Sequence, residues 1–467
     1  MAWEKTYICI DLKTFYASVE CAERGRDPLT TNLVVADPDR GPSTICLAIS
    51  PAMKKLGVRN RCRVFDIPPG IDYIMAKPQM QRYMEVSARI YGIYLEYVSA
   101  QDVHVYSIDE CFIDATPYLV RYNMTARGFA RELMRAVEAR THILATAGIG
   151  TNLFLAKVAL DILAKKSPDG IAMLDEEAFK RQIWCHRPIT DIWGIGPGIA
   201  ERLAKYHVHD LQGVAAMDEE VLFRELGVNA EYLIDHAHGR EPCTIEQIHA
   251  YRPAATSISN GQVLPRDYSA AEARTVLREM VDASALDLVS RHCVCDHVSL
   301  AIGYGRGAAP NDNLPVCCVD PRRHSAQDDT VFLNEGPTGR TGVFVGEHGK
   351  RVARRAGGYA SRQRKLGERT NSFRRLMGYF DRLFDEIVDT TRAIKRINIG
   401  LGGLMPEEFA SYDLFTDVQK EEEELSLQRT VVEVKDRFGK NAILKGTSYK
   451  RGATGRERNQ QIGGHCA

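Results

Sequence analysis

The chain has 467 residues, of which 44% are hydrophobic and 26% charged, and its formal net charge at pH 7 is zero. This length is too great for one compact core and indicates roughly three domains, while the balanced charge does not by itself point to a nucleic-acid partner. Because no apolar run reaches the ~18 residues of a membrane span and the N-terminus lacks a signal peptide's apolar core, we expect a cytoplasmic protein with no membrane partner.

A short apolar run near the start of the chain, Tyr7–Ile10, is typical of a buried strand and ends in Asp11. The pattern then becomes helical up to Glu20. In mixed α/β domains, carboxylates at the ends of buried strands often face a ligand crevice. A single Asp after a strand is also a common helix cap, so Asp11 alone leaves both interpretations open.

A small, basic segment follows, and within it a short helix is predicted from Pro51. Ser50 is the expected N-cap, Pro51 occupies the first helical position and Gly57 ends the helix. Lys54 in this helix is one candidate for meeting a phosphate group.

An adjacent pair of acids, Asp109 and Glu110, lies at a bend between two apolar runs. Carboxylates so close to buried strands repel each other and resist burial unless a positive charge lies between them. A divalent cation is the simplest such charge, and the bend is therefore a predicted metal site.

The strand predicted at Thr146–Gly150 leads into a helix that carries Lys157 in an apolar setting. Lys157 is either a surface residue whose stem packs on apolar neighbours or a cation that faces an anion near the acidic bend. The sequence favours neither role.

A glycine-rich hairpin, Gly194-Ile195-Gly196-Pro197-Gly198, is predicted between two helices. Gly194, Gly196 and Gly198 would free backbone N–H groups at a helix N-terminus, which favours anions. The pattern is typical of a helix-hairpin-helix, which grips DNA phosphates without reading sequence. A plain corner between two helices is the alternative.

The last part of the chain is less regular. Residues 306–355 show little periodicity and are predicted to form a loop or insertion, and the Gly- and Arg-rich end from Gly446 is predicted to be poorly ordered. Between Lys350 and Arg396 there are 14 Lys or Arg residues against 5 Asp or Glu residues. This block either meets phosphates or is an ordinary solvated basic surface.

Together these features favour a nucleotidyl transferase. Asp11, Asp109 and Glu110 suit the oxygen-preferring Mg²⁺ ion, and Lys54 and Lys157 could meet phosphates. Two Mg²⁺ ions held by such acids would activate a 3′-hydroxyl group and neutralise a leaving pyrophosphate.

The segments Asp11–Glu20, Tyr106–Glu110 and Gly148–Asn152, with Lys157 and the Gly194 hairpin, resemble Y-family translesion DNA polymerases of the bacterial UmuC/DinB-like branch. The order and spacing of these motifs match the family along nearly the whole chain. The resemblance implies an α/β (α+β), multidomain right-hand polymerase with primer-template DNA and dNTPs as partners. It implies a palm at 1–30 and 78–168, fingers at 31–77, a helical thumb with the helix-hairpin-helix at 169–250, a little finger at 251–405 interrupted at about 306–355, and a C-terminal tail at 406–467.

The resemblance also implies a role for each matching residue. Asp11, Asp109 and Glu110 match the acids that hold two Mg²⁺ ions, and the backbone carbonyl of Leu12 matches a further ligand. Tyr16 matches the steric gate that excludes a ribose 2′-hydroxyl. Phe15 matches its stacking neighbour, and Lys157 matches a contact to the triphosphate.

The sequence departs from the family pattern at three places. Pro51 and Lys54 stand where many members carry Tyr and Arg, and Lys lacks the bidentate fork of Arg. The stretch 306–355 has no clear counterpart. The segment Ser411–Phe415 resembles a sliding-clamp-binding peptide that begins with Gln, so it either binds a clamp or docks on its own domain.

Two other functions remain open at this point. One is a non-catalytic DNA- or clamp-binding protein on a polymerase-like fold, which the presence of all three acids disfavours. The other is a two-metal nuclease or nucleotide cyclase, which the hairpin and the little-finger pattern disfavour.

Overall fold

A computed structural model describes residues 4–252, 256–308, 331–334, 343–345, 351–353, 358–412, 416–463 and 465–466. The chain divides into two compact units, the first ending at Arg252 and the second beginning beyond it. Both units combine helices with sheets, which confirms the predicted multidomain α+β fold class. Within the described ranges, no helix is long and apolar enough to cross a membrane.

The strands of the first unit are β1 (Tyr7–Leu12), β2 (Leu33–Val35), β3 (Ala48–Ile49), β4 (Ile74–Ala76), β5 (Val103–Val105), β6 (Glu110–Asp114), β7 (Ala145–Gly150) and β8 (Ile171–Leu174). Its helices are α1 (Phe15–Glu23), α2 (Pro51–Lys55), α3 (Met80–Leu95), α4 (Thr116–Arg121), α5 (Ala126–Thr141), α6 (Leu153–Val158), α7 (Glu176–Gln182), α8 (Pro197–Ala204), α9 (Leu211–Ala215), α10 (Glu219–Leu226), α11 (Asn229–Ala237) and α12 (Ile245–Ala250).

The central sheet of the first unit has the strand order β5-β6-β1-β7-β8, with β1 antiparallel to both of its neighbours. Side chains alternate across a strand, so the two faces of β1 bury different residues. Ile8 and Ile10 pack in the core that includes α3 and α5, whereas Cys9 packs in the core that includes α6. Asp11 has the same parity as Cys9 and therefore lies on the α6 face.

Helix α6 packs against β7 with its backbone almost in contact with the strand. A Cβ atom placed on Gly148 would lie 2.1 Å from the carbonyl oxygen of Ala156, and one on Gly150 would lie 2.3 Å from the backbone nitrogen of Ala156. These distances are far inside van der Waals contact, so the glycines set the distance of α6 from the sheet. That distance in turn fixes the position of Lys157, the next residue of the helix.

Replacing Gly148 by Ala is expected to push α6 away from the sheet. Overpacking a core costs about 1–3 kcal/mol, and backbone atoms yield less readily than side chains, so the cost falls at or above the upper end of that range. We expect the thermal midpoint, followed by circular dichroism, to fall by roughly 5–10 °C.

Gly92 provides the matched control. It lies inside α3, and a Cβ atom there meets nothing within 4 Å. Gly92→Ala should raise stability by roughly 0.5–1 kcal/mol, since alanine is the better helix former. Equal midpoints for Gly148→Ala and the wild type would contradict the close approach.

A separate small sheet, ordered β3-β2-β4, has its own core of Val34, Ile49, Met53 and Val58. Helix α2 begins as the sequence predicts, because the Ser50 side chain accepts a hydrogen bond from the Met53 backbone N–H.

The chain after β8 is helical, but the predicted helix before the glycine-rich hairpin is wrong. Residues Ile189–Asp191 form only one 3₁₀ turn, and α8 follows the hairpin. The turn is short because Pro188 precedes it and Gly194 follows with φ +86°, a backbone conformation that ends a helix.

The second unit contains β9 (Ser257–Tyr268), β10 (Cys293–Ala308), β11 (Val331–Asn334), β12 (Val343–Val345), β13 (Arg351–Ala353), β14 (Tyr359–Thr370), β15 (Arg392–Gly402), β16 (Met405–Pro406) and β17 (Gln461–Ile462), and β18 (His465–Cys466) lies close to the chain end. Its helices are α13 (Ala270–Ser290), α14 (Phe373–Ile387), α15 (Val418–Phe438) and α16 (Gly455–Arg458). The main sheet is antiparallel with the order β11-β14-β10-β15-β9, and α13 and α14 contribute to the core beneath it.

The predicted insertion at 306–355 coincides with the end of β10 and with three short strands, β11, β12 and β13. Strand β11 pairs with β14 in the main sheet, and β12 pairs with β13. The rest of the predicted insertion lies outside the described residues.

The expectation of a poorly ordered chain end is wrong for residues 446–463. The backbone N–H groups of Thr454 and Gly455 donate to the carboxylate of Glu279 on α13, at 2.7 and 3.0 Å. Arg458 donates to the side chains of Gln262 and Asn260 on β9. The tail therefore folds onto the edge of the main sheet.

Candidate active site

The predicted metal ligands lie on the neighbouring strands β1 and β6. Asp11 and Glu110 are directly opposite each other in the antiparallel register, and the Leu12 N–H donates to the carbonyl oxygen of Asp109 at 2.9 Å. Directly opposite residues point to the same face, so the Asp11 and Glu110 carboxylates share the α6 side of the sheet. The Asp109 side chain accepts a hydrogen bond from the Ser107 hydroxyl at 2.7 Å. Leu12 has a buried side chain, and the role of its carbonyl oxygen stays a prediction.

Two lysine ammonium groups lie against these acids. Lys157 Nζ is 2.5 Å from Glu110 Oε1 and 2.9 Å from Asp161 Oδ2. Lys165 Nζ is 2.9 Å from Asp11 Oδ2 and 2.8 Å from Asp161 Oδ1. Lys157 is thus not a surface residue with its head in water: it is 7% exposed and paired with two carboxylates.

The charges of the site shift one another's pKa values. Burial raises the pKa of Asp11. The negative charges of Asp109 and Glu110 raise this pKa further, and the positive charge of Lys165 lowers it. Burial alone would lower the pKa of Lys157, but the carboxylates of Glu110 and Asp161 outweigh it and hold that pKa above its ordinary value. The lysines therefore stay charged and act as the counter-ions that the acidic bend requires.

The donor set is chemically suited to Mg²⁺, since carboxylate oxygens are the ligands that this hard cation prefers. Among the described side chains, no three of the types His, Cys, Asp and Glu are already grouped as a metal-binding cluster. Each of the two lysines pairs with one carboxylate of the facing pair Asp11 and Glu110. The residues fit a divalent ion on the condition that the ammonium groups give up these carboxylates.

Two aromatic rings lie at the start of α1, and one of them, Tyr16, is close to the acids. Tyr16 stacks on Tyr83 of α3 with ring centroids 4.6 Å apart, and Phe15 lies tilted against Tyr16 at 5.8 Å. The Tyr83 hydroxyl donates to the buried carboxylate of Glu20 at 2.6 Å, which fixes its ring behind Tyr16. Burial raises the pKa of Tyr16, and Asp109 adds to the rise, so the tyrosine lies beside the acidic bend.

Lys54 reaches the same region from α2. Burial lowers the pKa of Lys54. The negative charge of Asp11 opposes this change, and the positive charge of Lys165 adds to it. Lys54 therefore lies within electrostatic range of the carboxylates, as a contact to a bound phosphate requires.

The glycine-rich hairpin is exposed. Gly194, Gly196 and Gly198 are all accessible, and added Cβ atoms on them would meet nothing within 4 Å. Gly196 is the N-cap of α8 and Gly198 lies in its first turn. The hairpin thus presents open backbone at a helix N-terminus, where anions bind favourably.

The basic block Lys350–Arg396 is partly neutralised within its own unit. Arg362 and Arg364 pair with Glu386, and Arg375 pairs with the buried carboxylate of Glu421. Glu386 is one of the five acids already counted within the block, so Glu421 is the acid of these two that lowers the net positive charge further.

Sequence reasoning missed Asp161 and Lys165, which complete the charge network. Both follow Lys157 at intervals of four residues, the spacing that brings side chains to one face of a helix. That spacing was a usable signal. The intervening residues form a π-helical stretch, Ala159–Leu163, that continues α6.

The chain matches the impB/mucB/samB family over residues 10–161 and the C-terminal domain of that family over residues 255–414. A putative UV-damage repair protein, UvrX, of Bacillus subtilis (strain 168) is 33% identical over 306 residues, which is 65% of this chain and 71% of the relative.

The chain belongs to this family of Y-family DNA polymerases.

Two further comparisons agree with this membership. DNA polymerase IV 2 of Bacillus subtilis (strain 168) is 29% identical over the full length of both chains. A solved Y-family DNA polymerase chimera has the same fold, with a TM-score of 0.57 and 17% identity, over 86% of this chain and 99% of its own. The resemblance to Y-family polymerases in the motifs around Asp11 and Asp109 is thus confirmed for the family and the fold.

Proposed function

We propose that this Y-family member is a DNA-directed DNA polymerase of low fidelity that copies damaged templates. The reaction would add a dNTP to the 3′-hydroxyl group of a primer. The observation that carries the proposal is the facing pair Asp11 and Glu110, with Asp109 next to it and Tyr16 five residues after Asp11. This arrangement supplies hard anionic ligands on two neighbouring strands and an aromatic ring on α1, the helix that follows β1.

The cofactor of the proposed reaction is a pair of Mg²⁺ ions. Bound ions of this kind lower the pKa of the attacking hydroxyl group and neutralise charge on the leaving pyrophosphate. Asp11, Asp109 and Glu110 would hold them, together with the carbonyl of Leu12. Lys54 and Lys157 would face the triphosphate as point charges.

We assign the domains on the same basis. Four strands of the five-stranded sheet lie in a palm at 1–30 and 78–168, whereas its fifth strand, β8, lies just beyond that boundary, and the small sheet corresponds to fingers at 31–77. The helical segment 169–250 would be the thumb, 251–405 the little finger, and 406–467 a tail. The small sheet and the five-residue helix α2 support a fingers domain that encloses a nascent base pair loosely, and loose enclosure gives weak discrimination by shape.

Primer-template DNA is the proposed macromolecular partner. The open backbone of the Gly194 hairpin supports a phosphate contact that carries no sequence information. In the second unit, Lys365 and Arg396 lie exposed on strands of the main sheet and could add further phosphate contacts.

A sliding clamp remains a proposed partner of the segment Ser411–Phe415. Ser411 forms an antiparallel bridge with Arg369, and its hydroxyl accepts a hydrogen bond from the Arg369 N–H at 2.8 Å. This contact supports docking of Ser411, the first residue of the segment, on the second unit of the chain. Tyr412 is exposed, and residues 413–415 lie outside the described residues.

Primer extension tests the proposal directly. The purified chain is incubated with a labelled primer on an intact template, and in parallel on a template with an abasic site, with Mg²⁺ and four dNTPs. We expect extension on both templates, and none after chelation of Mg²⁺, because the carboxylates alone cannot neutralise the reacting phosphates.

The controls separate the alternatives. Shortening of the primer when dNTPs are omitted would indicate a nuclease instead. Binding of the primer-template without extension would indicate a non-catalytic DNA-binding protein. If extension stops at the abasic site, the protein is a DNA polymerase that does not copy this damaged template.

A further inference from the structure

A hydrogen bond between two aromatic side chains joins the residue before the glycine-rich hairpin to the bend that carries the acids. Trp193 immediately precedes Gly194 of the hairpin, and its indole N–H donates to the Tyr106 hydroxyl oxygen at 3.0 Å. The two rings lie edge to face, with centroids 6.0 Å apart. The bond therefore joins two segments that are 87 residues apart in sequence.

Tyr106 is part of the bend that carries the acids. The backbone N–H groups of Tyr106 and Ser107 both donate to the Glu110 carbonyl oxygen at 3.0 Å, which closes the bend. The Tyr106 ring lies 5.8 Å from Lys157 Nζ, and that ammonium group is paired with the Glu110 carboxylate. A movement of Tyr106 would thus displace the backbone and the counter-ion of Glu110 together.

Trp193 is itself held firmly on its other side. Its indole stacks on the His236 imidazole at 5.9 Å, and the same imidazole stacks on Phe154 at 4.0 Å. His236 Nε2 is 2.9 Å from a carboxylate oxygen of Glu241, which fixes the orientation of the imidazole. Phe154 lies on α6, the helix that carries Lys157. The indole is therefore a rigid support and not a freely rotating side chain.

We infer that Trp193 is a positioning residue for nucleotidyl transfer: through Tyr106 it sets the catalytic bend relative to the hairpin. This inference rests on the proposed function. A hairpin that grips a phosphate of the DNA and a bend that holds the catalytic acids must keep a fixed spacing if the primer end is to meet those acids. The Trp193–Tyr106 bond supplies that fixed spacing.

The effect of losing the bond should appear in the rate and not in binding. Trp193→Phe and Tyr106→Phe each retain an aromatic ring and remove one partner of the hydrogen bond. A misplacement of about 1 Å can cost up to about 10²-fold in rate, and a single neutral hydrogen bond is worth about five- to tenfold. We therefore expect the single-turnover extension rate to fall about tenfold in either variant, with the KM for dNTP and the Kd for primer-template changing less than about twofold.

The experiment compares both single variants with the double variant Trp193→Phe/Tyr106→Phe. If the two residues act through their shared bond, the double variant is as slow as either single one. Tyr122→Phe is the matched control for Tyr106→Phe, since the Tyr122 hydroxyl also donates a hydrogen bond, to the Tyr97 carbonyl oxygen at 2.9 Å, and Tyr97 packs against the α3 and α5 core on the other face of the sheet. Its extension rate should equal that of the wild type.

Several outcomes would overturn the inference. Additive losses in the double variant would mean that the residues act separately. A weakened Kd with an unchanged rate would make Trp193 a DNA-binding residue only. If Trp193→Phe does not fold, as judged by circular dichroism, Tyr106→Phe alone must show the loss of rate. A wild type that does not extend primers overturns the proposed function as well, whereas an active wild type with equally active variants overturns this inference alone.

Discussion

Replacing Asp109 by Asn is expected to slow primer extension by at least about 10³-fold without unfolding the protein. A catalytic metal contributes several kcal/mol of charge stabilisation, and each 1.36 kcal/mol corresponds to a factor of ten. Asp11 and Glu110 each pair with a lysine, whereas the contact described for the Asp109 side chain is the Ser107 hydroxyl. Asp109 is therefore the acid whose charge is least neutralised by the chain itself.

The same substitution should leave the thermal midpoint unchanged or slightly raised. Asp109 helps to raise the pKa of the buried Asp11, so removing its charge relieves a repulsion in the folded state. Single-turnover extension and circular dichroism measure the two effects. Asp169→Asn is the control, because Asp169 pairs with Arg127 on an exposed surface, and that variant should extend primers at the wild-type rate. Normal extension by Asp109→Asn would remove this residue from the mechanism.

Replacing Tyr16 by Ala is expected to admit ribonucleotides. The Tyr16 ring is backed by Tyr83, and the hydrogen bond from Tyr83 to Glu20 prevents the pair from moving aside. Forcing an extra group into a packed site costs about 1–3 kcal/mol, which corresponds to a discrimination of roughly 5- to 150-fold. We expect most of this discrimination to disappear when the ring is removed.

The measurement is the ratio of kcat/KM for a dNTP to that for the matching ribonucleotide. Tyr16→Phe keeps the ring and should retain the ratio of the wild type. If the ratio in Tyr16→Ala equals that of the wild type, Tyr16 is not the sugar filter. Tyr16→Ala should still incorporate dNTPs, since Tyr16 carries none of the charge of the site.

The acids of the site were predictable because they interrupt apolar strands. Asp11 follows the apolar run Tyr7–Ile10, and Asp109 and Glu110 precede another apolar run. Burying charged carboxylates beside such runs costs free energy, and the sequence pattern alone shows this. Asp11 and Glu110 face each other because β1 pairs with β6. The residue pattern of a single strand does not show which other strand it pairs with. The partners Asp161 and Lys165 were missed because charged residues at helical spacing usually form an ordinary solvated face.

Two other features depend on partners that are far away in the sequence. The tail around Thr454 and Arg458 has a composition typical of disorder, yet its order comes from groups on α13 and β9 nearly 200 residues earlier. The basic block was counted as an excess of charge, although Glu421, which lies beyond the block, neutralises part of it. The composition of one segment does not show which residues elsewhere in the chain will pair with it.

The lysine pairs of the site have a further consequence. Three carboxylates, those of Asp11, Glu110 and Asp161, share two ammonium groups, and together with the neighbouring Asp109 these groups carry a net charge of −2 when all are ionised. Divalent ions held by these carboxylates would free the two ammonium groups, and a bound triphosphate would be an anion with which the ammonium groups could pair. Metal and nucleotide would then exchange partners with the protein, so each should bind more tightly in the presence of the other, by the same factor in both directions.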